Sequence, residues 1–178
     1  MGTMKKPTVS LFRRMKNEGR KITMLTAYDA PTAKLAQECG IDIILVGDSL
    51  GMAVLGYQNT LPVTLEQSLH HCAAVRRGAP DAFVIGDMPF MTCHASETDA
   101  LKNAARYLQE AQCDAVKIEG DAALAPTVER MVHAGIPVMG HIGLLPQHIK
   151  TSGVYRVTGR KEEEAERIIA DAKAMEAA

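Results

Sequence analysis

FVIGDMPFMTCHASETDALKNAARYLQEAQCDAVKIE, residues 83–119, spells one complete β/α/β unit. Phe83-Val84-Ile85-Gly86-Asp87 is a short apolar run of the kind a strand covered on both faces requires. Ser96-Glu97-Thr98-Asp99 is a capping-box pattern, and Leu101, Ala104, Ala105, Leu108 and Ala111 recur behind it at helical spacing. Ala115-Val116-Lys117-Ile118-Glu119 then returns to a strand pattern.

The same grammar extends in both directions. Upstream, the run Ile22 to Tyr28 precedes a helix capped by Asp29, with Pro31 in its first turn and a stop at Gly40. Ile43-Ile44-Leu45-Val46-Gly47-Asp48 is the next strand pattern, followed by a loop from Leu50 to Pro62 and a helix opening at the capping box Thr64-Leu65-Glu66-Gln67. Downstream of Glu119 comes a helix with Leu124, Val128, Met131 and Val132, stopping at Gly135, and then the run Val138-Met139-Gly140-His141-Ile142. A Gly-rich loop, Gly143 to Gly159, leads to a last helix carrying Ala165, Ile168, Ile169, Ala172 and Met175. An amphipathic helix spans about residues 8–19 ahead of everything, and the β/α units occupy about 22–178. Five strand patterns, each followed by a helix, define an α/β chain with a parallel sheet and no linker marking a second domain. Two architectures accommodate it: an open five-stranded sheet, or the first five units of a (β/α)8 barrel. Three further units of about 25–30 residues would bring the chain to the roughly 250 residues typical of that barrel. The pattern reads as a barrel cut off before its sixth strand.

Composition narrows the function. Of 178 residues, 47% are hydrophobic and 23% charged, with a net charge of −1, so neither disorder nor a nucleic-acid-binding surface is expected. No run approaches the ~18 apolar residues of a membrane span. The four cysteines include no CxxC pair, which fits a reducing cytoplasm and argues against a structural zinc site. Met1-Gly2-Thr3 ahead of Met4 reads as an expression scar.

Chemistry collects at the carboxyl ends of the strands, where both architectures place their active sites. Asp48, Asp87, Glu119 and His141 end four successive strand patterns. Thr64 and Ser96 already cap the helices after Asp48 and Asp87, and Glu119 is a poor capping type, so the acids have no obvious capping work. Three converging carboxylates repel one another unless a cation joins them. An oxygen-rich set favours Mg2+ over zinc, with waters free to bridge some of the acids. Lys117 lies two residues before Glu119 on the same strand face, as an ion-pair partner or as an ammonium for a developing enolate. His141 is read evenly as a histidine satisfied by backbone or as a site residue. Adjacent His70 and His71 point apart and make no metal pair, Arg76-Arg77 read as a positive helix C-terminus, and Glu162-Glu163-Glu164 as a solvated first turn. Neither GxGxxG nor GxxxxGK[ST] occurs, so a standard nucleotide loop is not expected.

The strings Thr26-Ala27-Tyr28-Asp29, Gly47-Asp48-Ser49-Leu50-Gly51-Met52, Leu61-Pro62-Val63-Thr64, Ala74-Val75-Arg76-Arg77-Gly78-Ala79, Asp87-Met88-Pro89-Phe90, Val116-Lys117-Ile118-Glu119-Gly120 and Gly140-His141-Ile142-Gly143-Leu144 together resemble the ketopantoate hydroxymethyltransferases, in that family's order. The resemblance implies a (β/α)8 TIM barrel of the phosphoenolpyruvate/pyruvate type with an N-terminal helix, of which this chain covers about five of eight units as a single domain, and a large homo-oligomer, typically a decamer. It implies transfer of a hydroxymethyl group from 5,10-methylenetetrahydrofolate to 3-methyl-2-oxobutanoate through a Mg2+-stabilised enolate, giving 2-dehydropantoate for pantothenate and coenzyme A biosynthesis. It further implies Asp48, Asp87 and Glu119 around the metal, and Tyr28, Asp48, Ser49, Asp87, Lys117 and His141 at the 2-oxo acid, Lys117 and His141 being the catalytic pair. The family's general-base Glu belongs to a sixth strand beyond Ala178, which predicts a fragment, a cleaved chain or a second chain supplying the rest. Val154 and Thr158 stand where the family more often has Gly and Gln. The alternatives are another Mg2+-dependent 2-oxo acid lyase or mutase on the same barrel, and an inactive chain that only binds metal and 2-oxo acid.

Overall fold

The computed structural model describes residues 6–178, so the Met1-Gly2-Thr3 stretch read as an expression scar lies outside the described residues. Helix α1 (Val9–Asn17) leads into β1 (Met24–Thr26), α2 (Ala30–Glu38), β2 (Ile43–Val46), a single turn α3 (Leu50–Ala53) and α4 (Leu65–Gly78). Then follow β3 (Phe83–Asp87), α5 (Glu97–Gln109), β4 (Ala115–Glu119), α6 (Ala125–His133), β5 (Val138–His141), a short α7 (Ile149–Ser152) and α8 (Glu162–Ala177). The loops expected after β2 and β5 therefore each contain a brief helical turn.

Local signals explain most boundaries. Asp29 accepts from the Thr32 N–H at the start of α2, and Thr64 and Gln67 form a complete reciprocal capping box on α4. On α5 only half of the expected box forms: Ser96 accepts from the Asp99 N–H, while the Asp99 carboxylate accepts from the Ser96 hydroxyl. Gly40 and Gly135 end α2 and α6 with positive φ, +75° and +87°, where a side chain would strain the turn.

The five strands are parallel and lie in the order β1-β2-β3-β4-β5, with no reversal of the kind a doubly wound sheet contains. Side-chain alternation separates two faces. On one, Ile44, Val46, Val84, Val116 and Ile118 pack against Ala33 and Ala36 of α2, Cys72 and Val75 of α4, Ala104 and Tyr107 of α5, and Met131 of α6. On the other, Ile43, Leu45, Phe83, Ile85 and Ala115 form a second cluster with Met139 and with Phe12 of α1, whose ring meets Phe83 edge-on at 5.0 Å. β2, β3 and β4 are buried throughout, as their apolar runs required. β1 and β5 are the sheet's edges, each with one neighbour, and Met24 and Leu25 stay nearly half exposed.

One glycine on the helix-facing side holds a helix at close range. A Cβ on Gly86 would sit 2.2 Å from Tyr107 Cδ1. That ring has nowhere to go, because its hydroxyl bonds Ser68 Oγ and the Asp87 carbonyl, both at 2.8 Å. Gly86→Ala is expected to destabilise the fold by about 1–3 kcal/mol, measured by urea unfolding. Adding Tyr107→Phe, which frees the ring from both anchors, should not be simply additive with it.

Candidate active site

The second face of the sheet changes character at its carboxyl end. Continuing the rows of Phe83-Ile85 and Ala115, the next inward positions are Asp87 on β3, Lys117 and Glu119 on β4, and His141 on β5. Strand register sets the pairs: Asp87 lies opposite Lys117, and Glu119 opposite His141. Lys117 Nζ donates to both oxygens of Asp87 at 2.7 Å and stands 3.8 Å from Glu119 Oε1. His141 Nδ1 lies 3.2 Å from the same Glu119 oxygen. Asp48, just past β2, joins through its backbone N–H, which donates to Asp87 Oδ2 at 3.1 Å.

All three acids are buried. Burial pushes the Asp87 carboxyl up to about 6, against the pull of Lys117, with the nearby Asp48 charge adding to the rise. Desolvation also raises Asp48, opposed by a hydrogen bond from Gln147 and by Lys117. Glu119 is also desolvated, but the bonds to His141 and to the Gln147 N–H, together with Lys117, outweigh that and hold it below the usual range. Three buried carboxylates thus share one lysine, so negative charge is in excess.

Ser49 and Tyr28 sit at the rim, their hydroxyls 2.9 Å apart. The Cβ that Gly47 lacks would lie 2.6 Å from Ser49 Oγ and 3.8 Å from Asp87 Oδ2, so a bare backbone is what brings Ser49 beside the acids. His71, discounted as half of a metal pair, instead holds the Tyr28 carbonyl at 2.7 Å through Nδ1, and its ring is perpendicular to that of His70. Arg76 lies in the last turn of α4, as expected of a positive helix C-terminus, but it is buried and bonds backbone carbonyls and Asp114. Glu164 departs from a merely solvated first turn as well, pairing with Arg156.

Gln147 went unnoticed in the sequence. It belongs to the short turn Pro146–His148, is buried, donates from Nε2 to Asp48 Oδ2 at 3.0 Å and to the Met88 carbonyl at 3.1 Å, and donates its N–H to Glu119 Oε2 at 3.0 Å. A lone Gln in a Gly-rich loop carries no periodic or spacing signal that would have marked it.

The donor set fits a hard divalent ion: oxygen atoms only at Asp48, Asp87 and Glu119, excess negative charge, and a buried, unpartnered Gln147 Oε1 among them. Among the described residues no three His, Cys, Asp or Glu side chains close on a common point. A three-carboxylate cage is therefore not preformed, and the arrangement suits Mg2+, which is usually held by one or two carboxylates with waters completing its shell.

This fold is shared with enzymes of the phosphoenolpyruvate mutase/isocitrate lyase superfamily. A 2,3-dimethylmalate lyase described as a member superposes with a TM-score of 0.65 at 19% identity, over 96% of this chain and 60% of that one. A phosphoenolpyruvate phosphomutase from Streptomyces platensis subsp. rosaceus gives 0.68 at 16% identity, over 94% and 61%. A phosphonopyruvate hydrolase, solved with oxalate and Mg2+, gives 0.66 at 16% identity, over 92% and 58%. Within that fold the chain belongs to the ketopantoate hydroxymethyltransferase family, whose model matches residues 6–178. The 3-methyl-2-oxobutanoate hydroxymethyltransferase of Shouchella clausii (strain KSM-K16) is 53% identical over 171 residues, 96% of this chain and 61% of that protein. The enzyme of the same name from Desulfotalea psychrophila (strain LSv54 / DSM 12343) is 55% identical over 98% of this chain and 62% of its own length. The chain thus spans about three-fifths of the length of these relatives.

Proposed function

We propose that this chain provides the metal- and 2-oxo-acid-binding part of an enzyme that transfers a hydroxymethyl group from 5,10-methylenetetrahydrofolate to 3-methyl-2-oxobutanoate, forming 2-dehydropantoate on the way to pantothenate. Family membership supports the reaction, and one observation carries the site: Lys117 bridging Asp87 and Glu119, with Asp48 beside them, at the carboxyl end of the sheet. The sequential strand order favours the N-terminal portion of a single-domain (β/α)8 barrel. A homo-oligomer working in the cytoplasm completes the reading. Among the described residues no helix is long and apolar enough to cross a membrane.

In this reading Asp48, Asp87 and Glu119 would hold Mg2+, directly or through water. When bound, the ion supplies a Lewis acid for the keto oxygen of the substrate. Lys117 places an ammonium where the enolate's charge develops, in a buried setting that strengthens its effect. The Ser49 and Tyr28 hydroxyls donate to the substrate carboxylate from the rim. His141, tied to Glu119, orients that carboxylate and faces the substrate as the second catalytic group.

The test is a carbon-13 transfer assay with labelled methylenetetrahydrofolate, run on the chain alone and with a polypeptide supplying the rest of the relatives' length. Label is expected in 2-dehydropantoate when the two polypeptides are combined, and its failure to appear there overturns the reading. Folate-independent cleavage of a 2-hydroxy acid would instead place the protein among the lyases.

A further inference from the structure

Gln147 Oε1 is a buried side-chain oxygen with no hydrogen-bond partner among the described residues, and it belongs to a residue bonded to Asp48. Buried polar groups are almost always paired, so this exception beside a carboxylate needs a reason. The amide orientation of Gln147 is fixed by its surroundings. Nε2 faces two acceptors, Asp48 Oδ2 and the Met88 carbonyl, and turning the amide over would set an oxygen against both.

Gln147 thereby does three things at once. Its side chain occupies one oxygen of Asp48 and so fixes which way that carboxylate presents the other. Its backbone N–H takes Glu119 Oε2, while His141 takes Oε1. Its anchor on the Met88 carbonyl ties the pair to the end of β3. One residue thus braces acids from β2 and β4 that lie 71 positions apart in the chain. We propose that Gln147 is a positioning residue for the cation site, acting through Asp48, and that its free Oε1 accepts a hydrogen bond from a water bound to the divalent ion. The inference rests on the proposed metal reading of the carboxylates. Residues that orient metal ligands typically change affinity 10–100-fold when lost.

Manganese titration followed by electron paramagnetic resonance tests it, with Mn2+ as the probe. Gln147→Met keeps length and apolar bulk but has neither amide group, and is expected to weaken Mn2+ binding at least 10-fold. Its metal-free melting temperature should fall by a few degrees, because Asp48 and the Met88 carbonyl lose a donor, while the fold stays intact at the temperature of the titration. Gln147→Glu, ionised at about pH 8, keeps acceptor oxygens but has no donor for Asp48, so it should also bind Mn2+ more weakly than the parent. Equal Mn2+ affinity in parent and Gln147→Met overturns the inference while leaving the carboxylate site standing. Loss of the folded state at the titration temperature, or parent affinity in Gln147→Glu, also overturns it. Failure of the parent to bind Mn2+ overturns the metal reading itself.

Discussion

Lys117→Met is expected to destabilise the protein by about 3–5 kcal/mol at pH 8, the loss associated with removing one partner of a buried ion pair. Lys117 is 9% exposed and contacts both oxygens of Asp87, with Glu119 3.8 Å away. Methionine fills the space and leaves the carboxylates facing each other without a counter-charge. The effect depends on pH with a definite sign. Asp87 already has a folded-state pKa of about 6, above the 3.8 of a free carboxyl, so its contribution to stability is greatest at low pH and is lost as pH rises through that window. Without Lys117 the folded pKa climbs further and the window extends upward. Urea unfolding should therefore show a small difference between parent and variant at pH 5 and a large one at pH 8. Binding of a 2-oxo acid should be lost at both.

Arg76→Met should cost a comparable amount, about 3–5 kcal/mol, for a different reason and far from the chemistry. The guanidinium donates to the carbonyls of Gln112, Ala79, Pro80 and Ala82 and pairs with Asp114. Asp114 keeps the Val84 N–H and Lys6 when arginine is removed, so the larger part of the loss comes from carbonyls stranded without a donor. These contacts clamp the end of α4 to the segments entering β3 and β4, the two strands that carry Asp87, Lys117 and Glu119. Urea unfolding measures the loss. A variant that retains full stability would contradict the clamp.

Arg76 also shows where sequence reading stops. Beside Arg77 and Gly78 it reads as part of a positive helix C-terminus, and α4 does end there. Nothing in the string reveals that the turn Ala79–Ala82 folds its carbonyls back onto it. The strands, by contrast, were legible because β2, β3 and β4 are buried on both faces and so are written as unbroken apolar runs. Asp87, Lys117 and Glu119 were legible as well, since period-2 alternation places them together at one end of one face, while Asp48 was legible only as the end of its run. How they meet was not. The sequence brought the acids to one site, and the structure adds that Lys117 takes both oxygens of Asp87 and Gln147 takes one of Asp48. A brace from a loop depends on backbone placement across a long span of chain, which no local pattern encodes.

The most direct test of this account is calorimetric titration of 3-methyl-2-oxobutanoate into the protein, once with Mg2+ and once after chelation with EDTA. The buried acids and Lys117 predict one saturable site per chain that appears with Mg2+ and disappears without it. Binding of equal strength in both conditions, or no binding in either, would contradict it.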